Sequence, residues 1–280
     1  MNMNLGFGFW LIGMSLGAGG GMLGMASGMF IVLAPTTFVA ALLYAVSGFG
    51  FAVLAAPLFL MFADPERAIQ LVIIVSTALS LVVVPGLWRA IAAGLLLRLA
   101  FGSLAGLPLG LVAFRHADPV VVRSTAGTTI LVFAVLMAAL RHRRGHRWAL
   151  LAMRPGRDVV AGAISGVATA LVGMAGPPVL IYLLLGGAPP RTVRATLLSF
   201  FSLSYGATLA AHAVTIGIPA PTWLAAGILI PFAVIGGFAG RPLGDRLGAE
   251  GFAMLAIGLL AAAGLYTVVA AGVSFAARQQ

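Results

Sequence analysis

Residues 102–110 read GSLAGLPLG and residues 236–244 read GGFAGRPLG, so the pattern G-x-x-x-G-x-P-L-G occurs twice, 134 positions apart. Both copies lie in long apolar stretches of a 280-residue chain that is 61% hydrophobic and only 8% charged, too little polar surface to cover a soluble fold of that size. An apolar chain duplicated in this way, and broken by glycine and proline, is the build of many membrane transporters. Transport is therefore the first expectation.

Outward from the repeat, charge-free runs cover residues 1–63, 68–88, 99–114, 124–140, 159–190, 195–240 and 251–277. A helix needs about 20 apolar residues to cross the hydrocarbon core, and most of these runs are long enough. The fold class that follows is an all-α polytopic membrane protein. The net charge of +10 comes from arginines at the ends of the apolar runs, with no lysine in the chain. That placement marks cytoplasmic loops rather than a nucleic-acid surface. The absence of cysteine excludes disulfides, thiolate metal sites and thiol catalysis.

The basic stretch RHRRGHRWALLAMRPGRD at 141–158 divides the chain into two repeats, 34–140 and 159–273. Residues 1–33, uncharged and glycine-rich, read as an extra N-terminal apolar helix rather than a signal peptide. Each repeat contains one long broken segment (34–62 and 159–185) followed by three ordinary ones. If all eight segments cross, the arginines divide nine inside to seven outside, almost without bias. If each broken segment is instead a re-entrant hairpin, the division becomes twelve to four, which fits the positive-inside rule far better. Each repeat then crosses an odd number of times, so the two are inverted, each a broken helix pair plus three transmembrane helices. The substrate site is expected where the breaks meet.

The first break is Ser47-Gly48-Phe49-Gly50, followed by Pro57; the second runs Gly173-Met174-Ala175-Gly176-Pro177-Pro178. Glycine lets the chain leave helical dihedrals, and proline fits the first turn of a restarting helix. Inside a bilayer such breaks persist only where protein or a water-filled cavity covers them. A helix restarting at Gly176 is expected to aim free N–H groups into that cavity as an anion site. Arg67-Ala68 and Arg194-Ala195 open the helix after each break, where a cation opposes the helix dipole. Both are candidates to attract an anion at opposite mouths of one path. Gln70 and Thr77 on the first of these helices, with Thr196 and Ser199 on the second, complete the candidate substrate ligands. His212 is added as the titratable group deep in the 195–240 run. The glycines of the repeated motif are assigned to close helix contact.

Six acidic residues all fall at segment ends or in loops. That argues against a carboxylate-built cation site and against an intramembrane carboxylate relay. There is no HExxH, no Walker A sequence and no nucleophile–base constellation, so neither enzyme activity, a metal nor a cofactor is expected. The partners expected are a small anion and the lipid bilayer, not nucleic acid, and homo-oligomerisation is left open.

The two glycine-rich breaks leading into proline, SGFGFAVLAAP and VGMAGPP, together with the duplication, resemble the TauE/SafE sulfite-exporter family across residues 34–272. The resemblance implies a membrane permease for sulfite, organosulfonates or related small anions. It also implies that Gly48, Gly50, Pro57, Gly173, Gly176 and Pro178 line the cavity. The expected protein is then a secondary carrier working in the exporting direction by alternating access in a bacterial inner membrane. An anion channel of the same architecture and a non-transporting membrane scaffold are the alternatives.

Overall fold

The computed structural model describes residues 21–86, 91–118, 154–186 and 190–246, with short helical pieces between 121 and 135. The described residues are helical throughout, and the elements fall in the same order in both halves. In the first half α1 (Gly21–Ser47) and α2 (Phe51–Phe62) flank the first break, followed by α3 (Pro65–Val83) and α4 (Ala93–His116). In the second half α5 (Pro155–Val172) and α6 (Gly176–Leu185) flank the second break, followed by α7 (Pro190–Thr215) and α8 (Ala220–Arg246). Among the described residues, four stretches are long and apolar enough to cross a bilayer: Pro65–Val83, Ala93–His116, Arg191–Thr215 and Ala220–Leu243. The third ordinary segment of the second repeat and most of the basic loop lie outside the described residues, and that of the first repeat is described only in the short pieces above. Much of the proposed N-terminal extension also lies outside the described residues.

Helix α1 carries Pro35 inside it and runs unbroken from Gly21 to Ser47. The 33/34 boundary drawn from the sequence therefore falls inside this helix.

The repeated motif brings helix backbones together. A Cβ on Gly102 would lie 2.0 Å from Val159 O, and one on Gly106 2.1 Å from Ala163 O. Reciprocally, a Cβ on Gly162 or Gly166 would lie 2.1 Å from Leu99 O or Ser103 O. Helices α4 and α5 thus interlock through glycines on both sides, which is how membrane helices gain dispersion contact without a hydrophobic drive. The second copy does the same on α1: a Cβ on Gly236 would lie 2.3 Å from Phe38 O and one on Gly240 2.4 Å from Leu42 O. Each motif helix packs on the broken helix of the other half.

These pairings also fix directions. Residue numbers rise together along α4 and α5, and along α8 and α1. Ser103 meets Ser204 and Phe114 meets His212, so α4 and α7 run parallel. Leu79 lies against Gly237 and Val82 O accepts from Arg241, so α3 and α8 run parallel. Gln70 at the start of α3 reaches Gly217 beyond the end of α7, which makes α3 and α7 antiparallel. Hence α1, α3 and α8 point one way and α4, α5 and α7 the other.

Large apolar side chains stay exposed along α4 (Leu97, Phe101, Leu104, Leu109) and α8 (Leu224, Ile235). On a soluble protein such faces would be a liability; on membrane helices they are the lipid contact.

Candidate functional site

Helix α1 stops because Gly48 adopts φ +76, a left-handed conformation that side-chain-bearing residues rarely take, and Gly50 follows at φ +114. Helix α5 stops the same way at Gly173, φ +71. Serines then stitch each turn. Ser47 Oγ donates to Leu43 O at 2.7 Å, lies against Phe49 O, and receives the Phe49 N–H at 3.3 Å. In the second break Ser165 donates to Ala175 O at 2.5 Å. The Tyr205 hydroxyl donates to Gly173 O at 3.1 Å and accepts from Ala175 N at 3.4 Å.

The two breaks meet. A Cβ on Gly176 would lie 3.6 Å from Phe49 Cβ and 3.2 Å from Phe201 Cζ. On the other side of the first break, a Cβ on Gly48 would lie 3.0 Å from Arg194 Cγ. Arg194 is only 6% exposed, so a cation stands buried beside the point where the helices are interrupted. Ser47, Gly48, Gly50, Gly173, Gly176 and Pro177 are all buried around this junction, and Pro178 is half-buried in the first turn of α6. Pro57 lies buried in the middle of α2.

The expected amide array at α6 is thinner than anticipated. Pro177 and Pro178 have no N–H, and the Ala175 N–H is taken by Tyr205. The first turn of α2 is the richer end. Gly50 supplies no side-chain cap, and Leu54 N bonds to Gly50 O. The Phe51, Ala52 and Val53 amides, all buried, are therefore outside the helix's own ladder.

The remaining sequence candidates fall elsewhere. Arg67 is exposed at the start of α3, so the two equivalent arginines stand in unlike settings. Gln70 donates to Gly217 O at 2.9 Å and ties α3 to the end of α7. Thr77 donates to Ile73 O at 2.7 Å, back into its own helix. Thr196 and Ser199 are buried without hydrogen-bond partners; by helical periodicity they sit on the side of α7 away from Phe201 and Tyr205. His212 is fully buried, with Nε2 3.3 Å from Ala170 O and its ring 5.1 Å from that of Phe114.

Sequence reasoning missed Asp158. Its place at a segment end suggested a solvated loop, yet it is fully buried. Arg98 Nε lies 2.5 Å from its Oδ2, and the Tyr182 hydroxyl donates to its Oδ1. The carboxylate ties α4, α5 and α6 together at the base of the second broken pair. No local signal gives this, since Arg98 and Tyr182 lie 60 and 24 residues away. Replacing Asp158 by alanine should cost about 1–3 kcal/mol, below the cost of a fully enclosed pair because Arg98 is 41% exposed and can rehydrate. The check is the melting temperature of the purified protein, with Arg98→Ala expected to lower it at least as much, since it leaves a fully buried carboxylate without its cation.

Four long apolar helices, two glycine breaks in contact and a buried cation beside them define a multi-pass membrane permease. Residues 33–267 match the family model described as sulfite exporter TauE/SafE, and the chain belongs to that family. TauE/SafE is a family of transporters rather than of enzymes. No curated protein and no solved structure matches the chain.

Proposed function

We propose that this protein is a secondary transporter of a small anion, such as sulfite, an organosulfonate or a related sulfur or carboxylate anion, in a bacterial inner membrane. The observation that carries the proposal is the meeting of the two breaks at Phe49 and Gly176, with Arg194 buried against Gly48. A buried cation and helix-start amides favour an anion, and neither requires a carboxylate at the junction.

Two inverted repeats, residues 34–140 and 159–273, with re-entrant α1–α2 and α5–α6 hairpins, account for the helix directions. Because α1 and α3 point the same way, α2 has to return between them; the same holds for α6 between α5 and α7. The equivalent pairs α1 and α5, α3 and α7, and α4 and α8 are then each antiparallel. This arrangement corresponds to the twelve-to-four arginine distribution and supports alternating access around the paired hairpin tips.

The test is charge movement in proteoliposomes across sulfite, thiosulfate, methanesulfonate, acetate, chloride and sodium. A saturable, anion-selective response with counter-flow is expected. Fast flux without counter-flow would mean a channel, and no response from folded protein would leave a scaffold.

A further inference from the structure

The two broken pairs follow one plan and are held differently. The second is tied by polar contacts at both ends. At its base the Asp158 carboxylate joins Arg98 of α4 to the Tyr182 hydroxyl of α6. At its break Ser165 of α5 donates to Ala175 O, while the Tyr205 hydroxyl of α7 bonds Gly173 O and the Ala175 N–H. The arm α6 and the turn that leads into it are thereby fastened to three other helices.

At the matching places of the first pair these ties have no counterpart. Helices α1 and α5 end 125 positions apart, and α2 and α6 start 125 positions apart. Arg67 and Arg194 are separated by 127 positions and the two glycine motifs by 134. On these offsets Asp158, Ser165, Tyr182, Tyr205 and Arg98 correspond to Leu33, Ala40, Pro57, Ala78 and Phe232. None of these five side chains can form a hydrogen bond. The whole of α2, FAVLAAPLFLMF, carries no hydroxyl, amide or charged side chain. Ser47 stitches only its own turn, and Tyr44 reaches Ser80 of α3 from the first arm, α1. The second arm is left to apolar packing.

The two kinds of attachment resist movement differently. Dispersion is spread over many weak contacts, so an apolar helix that slides makes new ones as it loses old ones. A buried carboxylate parted from a donor carries the desolvation cost until another partner arrives. Displacing α6 alone strands the Asp158 Oδ1; displacing α2 strands no side-chain polar group.

We propose that α2 is the moving arm of the transport cycle and that Asp158 and Tyr182 are positioning residues that hold α6 as its fixed counterpart. This rests on the transport reading above and adds which side of the junction travels. The arm left untied is also the one whose first-turn amides stand outside its own ladder, so its movement carries those donors with it.

The test is hydrogen exchange of the full chain in lipid nanodiscs, with and without sulfite, thiosulfate, methanesulfonate or acetate, beside flux of the same anions in proteoliposomes. An anion that is transported should change exchange in residues 51–62 by about fivefold or more, and in residues 176–185 by less than about twofold. Tyr182→Phe removes one oxygen and keeps the ring. It is expected to speed exchange of residues 176–185 about tenfold without any anion, as for loss of a hydrogen bond to a charged group. The anion response of residues 51–62 should persist in that variant. A transporting wild type in which residues 176–185 respond as much as residues 51–62, or in which neither responds, would overturn the assignment and leave the transport reading standing. Absence of flux and of any exchange response to all four anions would overturn both. Should Tyr182→Phe fail to fold, the wild-type comparison decides.

Discussion

Replacing Arg194 by alanine is expected to reduce anion flux by about 100-fold while the protein still folds, the scale of loss when a buried charge partner is truncated. The residue is buried against Gly48, with its Cγ 3.0 Å from where a Cβ on Gly48 would lie. An alanine removes both the charge and the stem that fills this space. Lysine keeps a positive charge on an apolar stem but lacks the planar fork that grips two oxygens at once. Arg194→Lys should therefore recover only part of the flux, to within about tenfold of wild type. Arg67, the equivalent position in the first repeat, is exposed. Arg67→Ala should change flux by no more than about twofold, as for ordinary surface substitutions. Equal losses at the two positions would mean that both mouths matter alike; an active Arg194→Ala protein would remove Arg194 from the mechanism.

Adding a single methyl group at Gly106 is expected to destabilise the protein by at least about 3 kcal/mol, at the upper end of overpacking costs. The new Cβ would sit 2.1 Å from a backbone carbonyl oxygen of α5. That oxygen belongs to a helix held by glycines on both sides of the contact, so relief requires α4 and α5 to separate along their length. Gly240→Ala should act the same way between α8 and α1, where the closest oxygen is 2.4 Å away. Gly206 and Gly227 have nothing within 4 Å of a Cβ, and alanine there should be neutral or stabilise by up to about 1 kcal/mol through helix propensity. Melting temperatures of the four variants in one detergent separate the two classes. A Gly106→Ala protein that melts like wild type would show that the helix pair is looser than its geometry implies.

Much of the site was legible because its signals are local. Glycine and proline at residues 48–57 and 173–178 mark the breaks through backbone rules that hold wherever the chain lies. Arg67 and Arg194 stood out because a cation at a helix start needs a reason. Side-chain direction was harder to read. Thr196 and Ser199 are close to Arg194 in sequence, but a helix turns 100° per residue, which carries them away from the side that bears Phe201 and Tyr205. Thr77 satisfies itself within its helix, while its neighbour Ser76 turns to Tyr205 on another helix. Composition treats the two alike.

The sequence by itself determined the membrane class, the duplication, the positions of both breaks and the family. Apolar run length, small-residue spacing and charge placement act over one or two helical turns and can be read along the chain. The tertiary structure alone decided which repeat each glycine motif grips, that Phe49 and Gly176 meet, and that Arg194 is buried where Arg67 is exposed. It also decided that Asp158 is an interior ion-pair partner. Each of these depends on groups tens to more than a hundred residues apart, and in a membrane such contacts are set by close packing and polar satisfaction, which leave no periodic trace in the sequence.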